Sequence, residues 1–230
     1  MDQQRKLILA LDTSQSAGSI ALQREGRLIY SVYFDLSITH SETLMPQIDA
    51  ALKFCGFLPK DISAILLCNG PGSFTGLRIG LATAKGIAFG LNVPLYCHDA
   101  LKLCALQRFQ CGRNILTVID AKMRDIYAAL YDENLNVLEA PRVCKPEEIN
   151  TWNADGAYIL GSASSIVSNA IGESGMEFVL AAGGDEITGA AALFSLQELM
   201  PAEEIGDFEQ LANLEPLYLR ESTAQIKKKG

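Results

Sequence analysis

Leu7-Ile-Leu-Ala-Leu11 is a continuous apolar run that stops on a carboxylate, Asp12, and opens into the polar turn Thr13-Ser-Gln-Ser-Ala-Gly18. A short run of this kind, bounded by turn residues, reads as a buried strand. Residues 19–23 and 28–34 extend it into a three-strand meander joined at Glu25-Gly26. The same grammar returns 108 residues later: Leu11-Asp12 meets Ile119-Asp120, Ala21-Leu22 meets Ala129-Leu130, and Ile29 meets Val137. Strand-Asp-turn is common and identity is low, so the correspondence predicts an internal repeat without proving it.

Helices and further strands follow each meander. Leu44, Ile48, Ala51, Leu52 and Cys55 share one helical stripe that ends at Gly56. Residues 62–68 read as a buried strand, 77–89 as a helix closed by Gly90, 93–97 as a strand and 100–109 as a helix. The first lobe is therefore βββαβα with a further strand and a connecting helix. Past Pro146 the pattern weakens: a short helix at 147–150, strands at 158–160 and 178–180, and helices at 166–171 and 190–199. Glu215-Pro-Leu-Tyr-Leu-Arg220 is the last organised piece. The expected fold is α/β, a duplicated two-lobe arrangement with boundaries at 1–107 and 108–230 and the second lobe reduced.

Composition narrows the function. The 230 residues are 49% hydrophobic and 20% charged, a globular balance. With 27 Asp+Glu against 19 Lys+Arg, the net charge of −8 opposes gripping nucleic acid without help, because such binding neutralises phosphates with clustered cations. There is no apolar run of about 18 residues and no signal-peptide pattern before the first strand, so a soluble cytoplasmic protein without membrane contact is expected. Six cysteines lack any C-x-x-C pair and read as buried thiols. The two histidines, His40 and His98, form no H-E-x-x-H, and no metal site is expected. Lys227, Lys228 and Lys229 read as a solvated tail.

A duplicated βββαβα lobe with an acidic residue closing the first strand of each half is the plan of the actin-like class (ASKHA, ribonuclease H-like). In that class two hairpins hold nucleotide phosphates and metal. Close approach of backbone N–H groups to phosphate calls for glycine. The first hairpin offers Asp12, Thr13 and Ser14 as weak nucleotide-binding candidates. The second, Asp120-Ala-Lys-Met-Arg-Asp-Ile126, has no glycine and is not expected to cradle a triphosphate. For Asp12 and Asp120, orienting the turn stands beside magnesium coordination as a role.

The stretch from Gly70 to Gly90 fails as a Walker A loop, since Lys85 is followed by Gly86 instead of Ser or Thr. Anion binding at the helix start, Ser73 to Gly76, stands open. Small residues recur every four positions as Gly72, Gly76, Gly80, Ala84 and Ala88, and a second ridge holds Ala82, Gly86 and Gly90. Glycine weakens an isolated helix by about 0.8–1 kcal/mol against Ala, so something must approach closely. One ridge can lie on the protein's own sheet while the other accepts another helix.

Ile8-Leu-Ala-Leu-Asp-Thr-Ser14, His40-Ser-Glu-Thr-Leu-Met-Pro-Gln-Ile48, Gly70-Pro-Gly-Ser-Phe-Thr-Gly-Leu-Arg-Ile-Gly80, Ala84-Lys-Gly86 and Pro216-Leu-Tyr-Leu-Arg220 resemble the bacterial TsaB (YeaZ) family. The likeness is dense over residues 7–100, returns at the C-terminus and is loose between. It implies a non-catalytic partner subunit of the TsaD-containing complex that attaches a threonylcarbamoyl group to the adenosine beside the anticodon of tRNAs reading codons that begin with A. It further implies pairing with TsaD through the two helices of the first lobe, TsaE in the assembled complex, and tRNA contact only through that complex. ATP and metal are expected on the partners, with no cofactor and no catalytic residue on this chain. A homodimer is expected in the absence of TsaD. The expected interface is Gly72, Gly76, Ile79, Gly80, Thr83, Ala84 and Ile87, with Leu44, Ile48 and Leu52. The paired histidines of the TsaD helix are missing: four residues beyond His40 stands Leu44. An actin-like ATP-dependent enzyme or a glycoprotease-type peptidase is the alternative, and in the second lobe only Gly183-Gly184 resembles an adenosine-binding glycine pair.

Overall fold

A computed structural model describes residues 6–34, 40–172, 176–180 and 189–220. The chain divides into two compact units, the first built from residues up to 103 and from 189–216, the second from 104–180 and from 217 onward.

In the first unit, strands β1 (Leu7–Asp12), β2 (Gly18–Arg24) and β3 (Arg27–Phe34) form the meander, followed by α1 (His40–Cys55), β4 (Ile62–Cys68), α2 (Phe74–Leu91), β5 (Leu95–His98) and α3 (Ala100–Ala105). The sheet order is β3-β2-β1-β4-β5. β1 runs antiparallel to β2 and parallel to β4. Leu7, Leu9 and Leu11 of β1 and Ile20 and Leu22 of β2 are fully buried, as expected of central strands covered on both faces.

The second unit repeats the plan. Strands β6 (Ile115–Asp120), β7 (Ile126–Tyr131), β8 (Val137–Cys144), β9 (Tyr158–Leu160) and β10 (Val179–Leu180) lie in the order β8-β7-β6-β9-β10. β6 again runs antiparallel to β7 and parallel to β9. Both ends of β6 stand 108 positions beyond those of β1, so the repeat read from the two Asp-terminated runs is real. The lobe is reduced, as expected. Only a 3-10 turn, Pro146–Thr151, stands where the first lobe has α1, and α4 (Ser164–Ile171) follows β9.

The expected boundary needs correction. Residues 189–216 pack with the first unit instead of the second. They carry α5 (Ala192–Leu199) and a helix missed in the sequence, α6 (Phe208–Asn213), capped by Asp207 accepting from the Gln210 amide at 2.7 Å. The segment is tied down by a bridge between Ile205 and Leu95, by the Ala190 amide donating to Ser19 Oγ at 2.8 Å, and by Lys85 Nζ donating to the carbonyls of Ala212 and Leu214 at 3.0 and 3.1 Å. Leu211 joins the first core. Two helix ends also differ. α2 starts at the Ser73 N-cap and closes on Asn92 in the left-handed region (φ 54°), not at Gly90, and the helix from Ala100 tightens into a 3-10 turn at Leu106–Arg108.

Candidate functional site

The first hairpin is closed by α2. Ser73 N donates to the Ser14 carbonyl at 2.6 Å, Thr13 Oγ1 donates to the Gly76 carbonyl at 2.7 Å, and the Ser14 amide donates to Asp12 Oδ1 at 2.9 Å. Asp12, Thr13 and Ser14 are all buried. A Cβ on Gly72 would lie 2.0 Å from the Ser14 carbonyl oxygen, on Gly76 2.1 Å from that of Thr13, and on Gly80 2.3 Å from Thr13 Oγ1. The glycine ridge exists so that α2 can lie directly on the turn after β1. The three nucleotide candidates are therefore engaged inside the lobe. Burial, and after it the Asp12 charge, pushes the neighbouring Cys68 thiol well above its usual range.

This arrangement corrects most of the expected interface. Gly72 and Gly76 face the Thr13-Ser14 turn and Gly80 faces Thr13 and Leu67, with Ala84 and Ala88 fully buried. On α1, Leu44, Ile48 and Leu52 are at most 3% exposed and belong to the same core. Their stripe covers the sheet, because an amphipathic helix buries its apolar face against the nearest layer. Ile79, Thr83 and Ile87 are half-buried, and their exposed neighbours Ala82, Gly86 and Gly90 make up the second small-residue ridge. No atom of the described residues lies within 4 Å of a Cβ built on Gly86 or Gly90. Met45 and Phe54, which the sequence reading passed over, are exposed on α1. The side chain of His40 lies outside the described residues, as do Gly183-Gly184 and Lys227 to Lys229.

The second hairpin is built differently. Lys122, Met123 and Arg124 take φ values of 62°, 54° and 67°, three successive non-glycine residues in the left-handed region. Each costs roughly 1–2 kcal/mol against an ordinary conformation. The turn is held by the Ala121 amide donating to the Asp125 carbonyl, the Asp125 amide to the Lys122 carbonyl, and the Lys122 amide to Asp120 Oδ1 at 2.7 Å. Lys122 Nζ also pairs with Asp120 at 2.7 Å. Although burial pushes upward, these bonds hold the Asp120 carboxyl below its usual range. Glycine is thus not required for left-handed backbone here, which the composition of the hairpin gave no reason to expect.

Burial pushes the Cys97 thiol up to about 12 and that of Cys144 up to about 11, so both stay protonated and unreactive at neutral pH. Among the described residues, no three His, Cys, Asp or Glu side chains gather as a metal site, and no helix is long and apolar enough to cross a membrane.

A family model described as "TsaD: tRNA N6-adenosine threonylcarbamoyltransferase" matches residues 35–228. The tRNA threonylcarbamoyladenosine biosynthesis protein TsaB of Escherichia coli is 30% identical over 97% of this chain and 98% of its own length. The chain belongs to the TsaB family. The TsaB protein of Bacillus subtilis is 36% identical over a shorter match, 57% of this chain and 58% of that protein. The solved structure of YeaZ from Pseudomonas aeruginosa superposes with a TM-score of 0.77 at 28% identity, covering 93% of this chain and 100% of that one. The actin-like fold expected from the duplicated strand-Asp pattern is the TsaB fold. In this chain the Gly70 to Gly80 string, part of the resemblance over residues 7–100, serves first to seat α2 on the turn after β1.

Proposed function

We propose that this chain is a non-catalytic partner subunit of the TsaD-containing complex that attaches a threonylcarbamoyl group to the adenosine beside the anticodon of tRNAs reading codons that begin with A. Membership of the TsaB family supports the pathway. One observation carries the accessory role: the first hairpin, where an actin-like enzyme would hold phosphate, is filled by the protein's own α2, while the outer ridge of that helix lies bare at Gly86 and Gly90. Small residues on an exposed helix let a second helix approach to the 8–10 Å spacing of packed axes.

The partner surface is accordingly the outer side of α1 and α2, with Ile79, Ala82, Thr83 and Gly86 on one helix and Met45 on the other. TsaD binds there directly, TsaE joins the assembled complex, and a second copy of this chain occupies the face when TsaD is absent. ATP and metal belong to the partner subunits, tRNA is reached through the complex, and the assembly works in the cytoplasm. Reconstitution tests the reading. Modification of tRNA by TsaD and TsaE should require this chain, while the chain alone should neither hydrolyse ATP nor transfer the threonylcarbamoyl group. Turnover by the isolated chain, or full modification without it, would overturn the proposal.

A further inference from the structure

Two cations converge on one carboxylate in the second unit. Lys145, just past β8, and Arg220, which ends the 216–220 motif, both pair with Asp125. Beside this cluster the hairpin, residues 145–147 and α4 enclose an open cavity of about 690 Å³. Three cations, Lys122, Arg124 and Lys145, line the cavity with three carboxylates, Asp120, Asp125 and Glu147, while Arg220 approaches through Asp125 and Glu148 accepts from the Lys145 amide at 2.7 Å. Arg124 is exposed and forms no ion pair with any described residue.

The backbone adds a second feature. Of the three left-handed residues, Lys122 has its amide bonded to Asp120, whereas the amides of Met123 and Arg124 donate to no described atom. Successive N–H groups in such a turn form a concavity suited to an anion. The wall formed by α4 is apolar, with Ile166 and Ala170, and the 73%-exposed Met123 side chain flanks the cavity from the hairpin.

The geometry points to a binding site for a phosphate oxyanion in this cavity, held by the side chains of Arg124 and Lys145 and by the amides of Met123 and Arg124. The apolar wall receives the organic body that bears the phosphate. That phosphate comes from a free nucleotide or from an RNA backbone. It is a single-phosphate site formed by cationic side chains and a left-handed turn, distinct in design from a glycine-lined triphosphate cradle. Arg220, at the end of the 216–220 motif, shares Asp125 with Lys145 and so frees part of the Lys145 charge for the ligand.

The test is a titration of the full chain, followed by amide NMR, with inorganic pyrophosphate, with adenosine monophosphate and with a short RNA hairpin. Saturable movement of the Met123 and Arg124 amide signals is expected. Arg124→Glu should weaken the affinity about tenfold or more, the scale of one charge-assisted hydrogen bond, with the melting temperature unchanged. Lys60→Glu, the same charge change on an exposed lysine of the first unit, should leave affinity unaltered. Response to the small anions identifies a nucleotide source, and response to RNA alone identifies a backbone phosphate. If none of the three moves these amides, or if Arg124→Glu and Lys60→Glu weaken binding equally, the site does not exist. Should Arg124→Glu disturb folding, Arg124→Gln removes the charge with the turn retained and is read by the same signals.

Discussion

Gly76 and Thr13 lock the first lobe together: the Thr13 hydroxyl donates to the Gly76 carbonyl at 2.7 Å, and a Cβ on Gly76 would come within 2.1 Å of the Thr13 carbonyl oxygen. Gly76→Ala should therefore destabilise the fold by about 1–3 kcal/mol or more, since the obstructing atom is backbone and cannot swing aside. Gly80→Ala meets the Thr13 hydroxyl instead. Adding Thr13→Ala should recover part of the loss at Gly80 and none at Gly76, a non-additivity that denaturant melts of the single and double variants would read.

Gly86 sits on the open ridge of the same helix, with no described atom within 4 Å of a built Cβ. Gly86→Ala is expected to raise stability by about 0.5–1 kcal/mol through helix propensity alone. Gly86→Leu should melt no earlier than the parent yet weaken pairing with TsaD by a factor of roughly 5–150, the equivalent of a 1–3 kcal/mol overpacking penalty. Calorimetric titration against TsaD measures it, and unchanged affinity would move the interface off this ridge.

On α1 the contrast runs between adjacent residues. Leu44 is 1% exposed and Met45 52%. Leu44→Ala should cost about 2–5 kcal/mol of stability as a core cavity, whereas Met45→Ala should stay within about 0.5 kcal/mol. Equal effects in chemical unfolding would mean that α1 does not present the face described.

His98 contributes a pH dependence. Burial lowers its pKa, the Lys102 charge adds to the effect, and the 2.7 Å bond from Nε2 to Gln197 Oε1 opposes it only in part. A histidine held neutral in the folded state lets the unfolded chain take up the proton first, so stability is lost as pH falls from about 7 through the ordinary histidine value of about 6.5 and below. The carboxylates held low by their partners, Asp120 and Asp132, lose their contributions only below about pH 4. Melting temperatures between pH 7 and 5 should fall for the parent chain and much less for His98→Gln. Identical profiles would remove His98 as the cause.

Much of the architecture is local and was legible. The strands at 62–68 and 158–160 were bounded correctly from apolar runs between turn residues, and the two Asp-terminated strands showed the duplication. The stripe of Leu44, Ile48 and Leu52 was visible too, because a helix or strand that buries one face writes that face into the chain at its own period.

By itself, then, the sequence determined most of the elements and the presence of two small-residue ridges on α2, and it pointed to the repeat. Which ridge turns inward was beyond it, since both satisfy helical spacing and only the turn after β1, 63 residues away at the Thr13–Gly76 bond, selects one. The return of residues 189–216 to the first unit was equally hidden, because chain order is silent about which of two similar lobes a late segment will join. The left-handed turn at Lys122 to Arg124 carries no glycine to announce it and is held by hydrogen bonds to Asp120 and Asp125. In each case the deciding contact lies outside the local pattern, and tertiary packing overrides the preferences of the residues it brings together.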